Sequence, residues 1–325
     1  MQRRYALILL VIYLSLTGLL LTACGRATSA KTYTIGVVNY DPILAPIWDG
    51  FKTRMAALGY VEGQNALYIY HGVLAPDSQV IEREIKSLIG QKVDLLLTLG
   101  TQPTLAAKKA TADITLPVVF APVIDPVGKG VVESITHPGG NVTGVHNGDT
   151  VPKSLEWLHK IVPHATKVYT IYHPKDTVAQ TAVRSLSATV TALGVDLVLV
   201  EVQSPEEAVT AIDTMPKDAT IFFVPTPSLE PLGPLVEVAS KRGIAAGANN
   251  HRSLQTGVLV TYASDWFAMG QQAARLVDQI LKGTKPADLP VETAEHFLRI
   301  NLKTATAMGL DVPDEILRQA DMVIR

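Results

Sequence analysis

The sequence predicts an α/β fold of two lobes, each built on a parallel sheet that is covered by helices. The chain has 325 residues, which is more than one hydrophobic core comfortably supports. Apolar runs typical of buried parallel strands alternate with helical patterns along the chain. The alternation occurs twice, before and after a polar, glycine-containing stretch at 146–152. We therefore expect two lobes.

The first half reads as a β-α-β series, which folds into an open sheet with right-handed connections. Continuous apolar runs predict strands at 33–38, 66–70, 93–99, 117–121 and 142–145. Helical spacing of apolar residues predicts helices at 46–58, 77–89, 105–110 and 126–135. Asp77 or Ser78 is expected to cap the second helix, and Asp125 the fourth.

The second half repeats this scheme. Strands are predicted at 167–172, 195–201, 219–224, 244–247 and 257–262. Helices are predicted at 152–161, 177–193, 205–214, 229–241 and 266–281. A short strand at 297–301 and a helical segment near 313–319 close the chain. The only internal similarity is that between the two α/β halves.

Two junctions between a strand and a helix stand out. The first is Gly100-Thr101-Gln102-Pro103-Thr104, and the second is Pro225-Thr226-Pro227-Ser228. The N–H groups of the first helical turn have no partner within the helix, and proline is preorganised for that position. Such a helix start binds anions, carboxylates included. Two junctions of this kind predict two lobes that face one cleft.

Candidate site residues follow from the rule that ligands bind beyond the carboxyl ends of the strands in open α/β sheets. The side chains at these ends are mostly hydroxyls, amides and aromatics: Asn39, Tyr40, Thr101, Gln102, Tyr172, Thr226, Ser228, Asn249 and Asp265. This set suits a small polar ligand with an apolar part, which is bound rather than transformed. Alternatively, the hydroxyls and Asp265 only cap helices, and the tyrosines are ordinary rim aromatics.

Several function classes are excluded by composition and motifs. The formal net charge is −2 and no long basic run is present, so no nucleic-acid partner is expected. The sequence has no Walker A, GxSxG or HExxH motif, and its histidines lack metal-ligand spacing. We therefore expect no metal, no cofactor and no enzymatic activity. A secreted enzyme on the same fold is a remote alternative that needs a clustered nucleophile, base or metal.

The N-terminus has the pattern of a secretion signal. Arg3 and Arg4 precede an apolar stretch at 5–21, and Leu21-Thr22-Ala23-Cys24 resembles a bacterial lipobox. This predicts a signal peptide at 1–23, lipidation of Cys24 and a polar tether at 24–30. The protein would then lie outside the cytoplasm, attached to the membrane by lipid. An uncleaved membrane anchor is the alternative, because the apolar stretch could just span a bilayer.

Five motifs in a fixed order resemble one family. They are Leu58-Gly59-Tyr60-Val61-Glu62-Gly63-Gln64-Asn65; Val118-Val119-Phe120-Ala121 before Asp125-Pro126-Val127-Gly128-Lys129-Gly130; Pro138-Gly139-Gly140-Asn141-Val142-Thr143-Gly144-Val145; Thr261-Tyr262-Ala263-Ser264-Asp265-Trp266 with Gly270; and Ile300-Asn301-Leu302-Lys303 with Met308-Gly309-Leu310. Together they resemble the ABC-transporter substrate-binding lipoproteins that include tryptophan- and tyrosine-binding members. The resemblance runs from about Lys31 to Arg325.

This resemblance implies a type I periplasmic-binding-protein fold, with two Rossmann-like lobes and a three-strand hinge that closes on ligand. The N-terminal lobe would comprise 31–146 plus 264–290, and the C-terminal lobe 147–263 plus 291–325. The implied function is that of a monomeric solute-binding component of an ABC importer. It would deliver a small ligand to a permease and its ATPase. The favoured ligand class is amino acids, with aromatic ones as candidates. A ligand-sensing receptor for a membrane sensor is the alternative.

The two-lobe arrangement that the resemblance implies gives each site residue an expected role. The Thr101 helix start would receive the ligand carboxylate, and Asp265 would pair with its ammonium group. Tyr40, Tyr172 and Trp266 would cover an apolar or aromatic side chain. Three further contacts would come from the other lobe: Thr226, Ser228 and Asn249.

Overall fold

The computed structural model describes residues 31–225 and 232–325. The predicted signal peptide, the lipidation site Cys24 and the tether lie outside these residues, and so do Thr226 and Ser228. Within the described residues, no helix is long and apolar enough to cross a bilayer.

The strands of the described chain follow the predicted alternation. They are β1 (Tyr33–Asn39), β2 (Ala66–Val73), β3 (Leu95–Leu99), β4 (Val118–Val123), β5 (Val142–His146), β6 (Lys167–Tyr172), β7 (Asp196–Glu201), β8 (Ile221–Val224), β9 (Ala245–Ala248), β10 (Val260–Ser264), β11 (Glu292–Thr293), β12 (His296–Asn301) and β13 (Met322–Ile324). The short strands β11 and β13 were not predicted, because two or three residues carry no periodic signal.

The helices connect these strands. They are α1 (Ala45–Ala57), α2 (Ser78–Gly90), α3 (Thr101–Ala110), α4 (Val151–Ile161), α5 (Thr177–Leu193), α6 (Pro205–Ala211), α7 (Gly233–Lys241), α8 (Trp266–Leu281), α9 (Leu302–Ala307) and α10 (Asp314–Gln319). The predicted bounds of α5 and α8 are confirmed. Each of these two helices is capped by an aspartate, Asp176 or Asp265, whose side chain accepts two backbone N–H groups of the first turn.

Two mostly parallel sheets form the centres of the lobes, as predicted. In the described residues the first has the strand order β11-β5-β4-β3-β1-β2, and the second β13-β12-β10-β9-β8-β6-β7. Both contain the 2-1-3-4-5 arrangement of a doubly wound fold. The exception to parallel pairing is β10 with β12, which run antiparallel. This pairing places Arg299 opposite Thr261.

Helices cover both faces of each sheet, so each lobe has two apolar layers. In the first lobe, Phe51 and Met269 lie in one layer, and Ile81 and Ile85 lie in the other. In the second lobe, Leu158 belongs to one layer and Leu235 to the other. This layering is expected of strands whose residues are apolar on both faces.

The described part of the chain passes between the sheets three times, after β5, after β10 and between β11 and β12. The helix that follows β10, α8, returns to the first lobe and packs on α1. Ser264 belongs to the second sheet and β11 to the first, whereas the predicted boundaries placed them the other way. We therefore propose lobes of 31–146 plus 265–294 and of 147–264 plus 295–325.

The prediction of a helix at 126–135 is wrong, because this segment consists of turns and bends. Asp125 has a φ of +51°, and its Oδ1 accepts the N–H of Gly128 at 2.9 Å, so it caps a turn. Gly130 has a φ of +67°, which a helix does not allow. The apolar spacing of this segment therefore reflects packing rather than helical structure.

Candidate functional site

A cavity of about 480 Å³ lies between the lobes, beyond the carboxyl ends of the strands. The first-lobe side is largely apolar: Asp41, Ile43, Pro46, Ile124, Trp266 and Phe267. The second-lobe side is largely polar: Asn249, Asn250, His251, Arg252, Ser264 and Arg299. Asp265 and Val178 also line it. A mainly apolar cavity with a few converging polar groups is typical of a small-molecule site.

Asp265 lies at the end of β10 and has most of its hydrogen-bonding capacity occupied. Its Oδ1 accepts the N–H groups of Phe267 and Ala268 at 3.0 and 3.1 Å. Its Oδ2 accepts a hydrogen bond from the Arg299 guanidinium at 2.5 Å. Burial favours the neutral acid, but these hydrogen bonds outweigh it and hold the pKa of Asp265 below its usual range. Asp265 therefore caps α8 and pairs with a cation of the other lobe.

Asp41 is a second carboxylate at the cavity and follows β1 directly. Its Oδ1 accepts the N–H of Ile43 at 3.0 Å, and its own N–H donates to Asn39 Oδ1 at 3.0 Å. Within the described residues, Asp41 forms no ion pair. Its carboxylate is consequently oriented by the contact with Ile43, and no cation of the described chain pairs with it, so it is placed to accept hydrogen bonds from a ligand.

His251 and Asn250 form part of the polar wall after β9. His251 Nδ1 lies 3.0 Å from Thr261 Oγ1, and burial together with the nearby Arg299 charge lowers its pKa to about 4. His251 is thus neutral at neutral pH. The Oδ1 of Asn250 accepts hydrogen bonds from the N–H and hydroxyl of Ser253. Among the described residues, neither Asn250 Nδ2 nor His251 Nε2 has a hydrogen-bond partner, although both are buried.

The three hinge crossovers are joined by a polar network. Ser264 Oγ donates to Asn147 Oδ1 at 2.5 Å, and His296 Nε2 donates to the Asn147 carbonyl at 2.7 Å. On the first-lobe side, His146 Nε2 lies 2.9 Å from Thr293 Oγ1. Burial, followed by the proximity of His296, lowers the pKa of His146. Residues from all three crossovers are therefore held together at one place.

Three of the residues with a predicted role in the site, Asn249, Asp265 and Trp266, line the cavity. Asn39 is fully buried and orients Asp41, with its Nδ2 donating to Tyr70 Oη at 3.4 Å. The Tyr40 ring packs on Gly100: a Cβ added there would lie 2.6 Å from the ring. Burial and then Asp41 raise the pKa of Tyr40. The first junction therefore lies beside Tyr40, near the cavity but outside its lining.

The other predicted residues lie elsewhere in the described chain. Thr101 is the first residue of α3, is partly exposed and is outside the cavity lining. Gln102 lines a separate groove with Ser78 of α2. Tyr172 donates to Glu201 Oε1 at 2.7 Å, which directs its hydroxyl towards the neighbouring strand β7. The structure does not bring these side chains into one cluster with Asp265.

Sequence reasoning did not single out Arg299, Phe267, Val178 or His251 as contacts. Arg299 reaches the cavity only because β12 pairs antiparallel with β10, which no local pattern reveals. Phe267 and Val178 each lie two residues after an aspartate cap. That spacing could have identified them as side chains at the mouth of the cleft. In the described residues, no group of three or more His, Cys, Asp or Glu side chains is placed to hold a metal ion.

Comparison with known proteins identifies the family. The family described as "ABC transporter substrate binding protein" matches residues 34–324. The chain belongs to this family. It is 27% identical over 290 residues to a tyrosine-binding protein from Clostridioides difficile, covering 88% of this chain and 83% of that protein. Substrate-binding proteins of ABC transporters are binding subunits rather than enzymes, and they work outside the cytoplasm.

Two similar solved structures share the two-lobe fold. A crystal structure of an ABC domain in complex with L-Trp from Streptococcus pneumoniae has a TM-score of 0.75 and 25% identity, and covers 90% of this chain and 100% of that one. A ligand-free, open structure of a substrate-binding protein with adhesive properties from Clostridium difficile has a TM-score of 0.78 and 23% identity, with 90% and 99% coverage. The predicted family and the periplasmic-binding-protein fold are both confirmed.

Proposed function

We propose that the chain captures an amino acid, foremost an aromatic one, in the interlobe cavity and delivers it to an ABC permease. The observation that carries this proposal is the division of the cavity into a largely apolar first-lobe wall with two carboxylates, Asp41 and Asp265, and a polar wall with guanidinium and amide groups. An amino acid presents an ammonium group, a carboxylate and a side chain. Each of these has a complementary partner in the cavity.

Asp41 is the best partner for the ligand ammonium. Its carboxylate is oriented by backbone contacts and forms no ion pair in the described chain, whereas Asp265 is engaged by α8 and Arg299. A charge-assisted hydrogen bond of this kind contributes about 1.5–3 kcal/mol. We therefore assign the ammonium contact to Asp41 in place of Asp265.

The ligand carboxylate would be received by the second-lobe wall, where Arg252 and Asn249 line the cavity. Because the ammonium and carboxylate contacts come from different lobes, only a closed arrangement satisfies both ends of the ligand. The predicted ligand contacts of Tyr40, Gln102 and Tyr172 stay predictions, and the Thr101 helix start stays an alternative receiver of the carboxylate.

Two relatives support the ligand class. One is a tyrosine-binding protein, and another was solved in complex with L-Trp. We further propose that Cys24 carries the lipid anchor, that the protein is monomeric and that a permease with its ATPase receives the ligand. These proposals follow from the lipobox-like sequence and the family.

A thermal-shift screen of the purified protein against the twenty amino acids and a set of sugars tests this function. A ligand that binds only the folded state raises the melting temperature. We expect L-Trp or L-Tyr to give the largest shift. Asp41→Asn should weaken that binding by about 30-fold, while Asp113→Asn, at an exposed position outside the cavity, should not change it. A shift with sugars alone would contradict the proposal.

A further inference from the structure

Phe267 is the most exposed aromatic side chain at the cavity. It is 40% exposed, whereas Trp266 beside it is partly buried against the core layer that contains Phe51. Because Phe267 lines the cavity, its exposed apolar surface is placed to contact a ligand bound there. Phe267 therefore presents apolar surface that no other described side chain covers.

The backbone of Phe267 is fixed by the packing of α8 on α1. A Cβ added at Gly50 of α1 would lie 2.0 Å from the Phe267 carbonyl oxygen. A Cβ added at Gly270 of α8 would lie 1.9 Å from the Ile47 carbonyl oxygen. Two glycines thus allow the helices to touch along their backbones. Because contact at this distance leaves no room for sliding, the Phe267 ring is carried on a rigid support.

The second lobe presents a similar side chain to the same cavity. Val178 is 43% exposed and occupies the second position of α5, as Phe267 does in α8. Each N–H donates to the capping aspartate, at 2.8 Å from Val178 to Asp176 Oδ1 and at 3.0 Å from Phe267 to Asp265 Oδ1. The two lobes therefore carry exposed apolar groups at equivalent places, one an aromatic ring and the other a branched aliphatic group.

Of the three aromatic residues predicted from sequence, Trp266 lines the cavity but packs in part against the core layer that contains Phe51, and the other two are engaged elsewhere. The Tyr40 ring packs against Gly100, and the Tyr172 hydroxyl is bonded to Glu201. Neither belongs to the cavity lining. An exposed ring on a firmly packed backbone offers a flat face on which a planar side chain can stack.

We propose that Phe267 is the specificity-determining contact that selects aromatic over aliphatic ligand side chains, and that Val178 from the other lobe covers a side chain of either kind. This inference rests on the proposed capture of an amino acid. It assigns the side-chain subsite to a residue pair outside the predicted set. The stacking preference beyond simple burial is small for each ring, so selectivity rather than total affinity is the quantity that Phe267 controls.

Calorimetric titration of the purified protein with L-Trp and with L-Leu tests this assignment. Phe267→Leu keeps apolar volume but removes the ring, so the L-Trp affinity should fall about three- to tenfold while the L-Leu affinity stays the same or rises. Val178→Ala should weaken both ligands to a similar degree. Val209→Ala is the matched control, since Val209 is 44% exposed and lies on α6 outside the cavity.

The outcomes separate the two proposals. Binding of L-Trp with unchanged selectivity in Phe267→Leu, or an equal loss for both ligands, would overturn the assignment of Phe267 and leave amino-acid capture intact. If the wild-type protein bound L-Leu but not L-Trp, the assignment of Phe267 would likewise be overturned and amino-acid capture would stand. If the wild-type protein bound neither L-Trp nor L-Leu, both the assignment of Phe267 and the proposed capture of an amino acid would be overturned. A fall in selectivity confined to Phe267→Leu supports the assignment.

Discussion

The double role of Asp265 gives a prediction whose parts can be measured separately. Asp265→Asn retains an oxygen that can accept the two N–H bonds of α8, because asparagine caps helices about as well as aspartate. It removes the charge that faces Arg299. Asp265→Ala removes both interactions. The difference between the two variants therefore isolates the cap, and Asp265→Asn isolates the ion pair.

The magnitudes follow from the geometry. The Asp265 and Arg299 side chains are 29% and 20% exposed, so their pair lies between an exposed ion pair, worth about 0–1 kcal/mol, and a buried one, whose disruption costs about 3–5 kcal/mol. We expect Asp265→Asn to lower the free energy of unfolding by about 2 kcal/mol. Loss of the cap should add about 1 kcal/mol in Asp265→Ala.

Urea unfolding of the two variants, of Arg299→Met and of the double variant Asp265→Asn/Arg299→Met measures these terms. The double variant should lose about 1–2 kcal/mol less free energy of unfolding than the two single variants lose in total, because both single changes remove the same interaction. Strict additivity would refute the ion pair as a stabilising contact. Equal stability of Asp265→Asn and Asp265→Ala would refute the cap.

Two further predictions concern His251 and Gly270. The pKa of His251 is about 4 in the folded protein against an ordinary 6.5, so the folded state favours the neutral ring. The contribution of His251 to the free energy of unfolding is therefore fully present above pH 6.5, and roughly 3 kcal/mol of it is lost as the pH drops towards 4. In urea unfolding, His251→Gln should flatten this dependence, and the exposed His164→Gln should keep it. Gly270→Ala should cost about 2–4 kcal/mol because its Cβ would meet the Ile47 carbonyl. Gly90→Ala, with open space around it, should cost almost nothing, and equal losses would contradict the close packing.

The fold could be predicted because its signals are local. Aspartate caps mark the starts of α5 and α8, and Gly194 in the left-handed conformation ends α5. The order of the family motifs then identified the architecture. The segment at 126–135 was predicted wrongly because its apolar spacing resembles a helix, while its glycines and the positive φ of Asp125 impose turns.

The site was less predictable because it depends on pairing between distant segments. Asn249 and Asp265 were found by the rule on strand ends, and that rule places the cavity correctly. It does not tell which side chain is free to meet a ligand. Asp265 is occupied by Arg299, 34 positions away in the chain, and this contact arises from the antiparallel pairing of β10 and β12. Arg299 could be recognised only once that pairing was known, whereas His251 lies two residues after Asn249, at a strand end that the rule already covers.

The central claim is that the interlobe cavity binds an aromatic amino acid through Asp41. Calorimetric titration of the wild-type protein with L-Trp and L-Tyr, alongside Asp41→Asn, tests it most directly. We predict one binding site per chain for at least one of the two ligands, and an affinity about 30-fold weaker in the variant. Absence of binding to both, or binding that Asp41→Asn leaves unchanged, would contradict the claim.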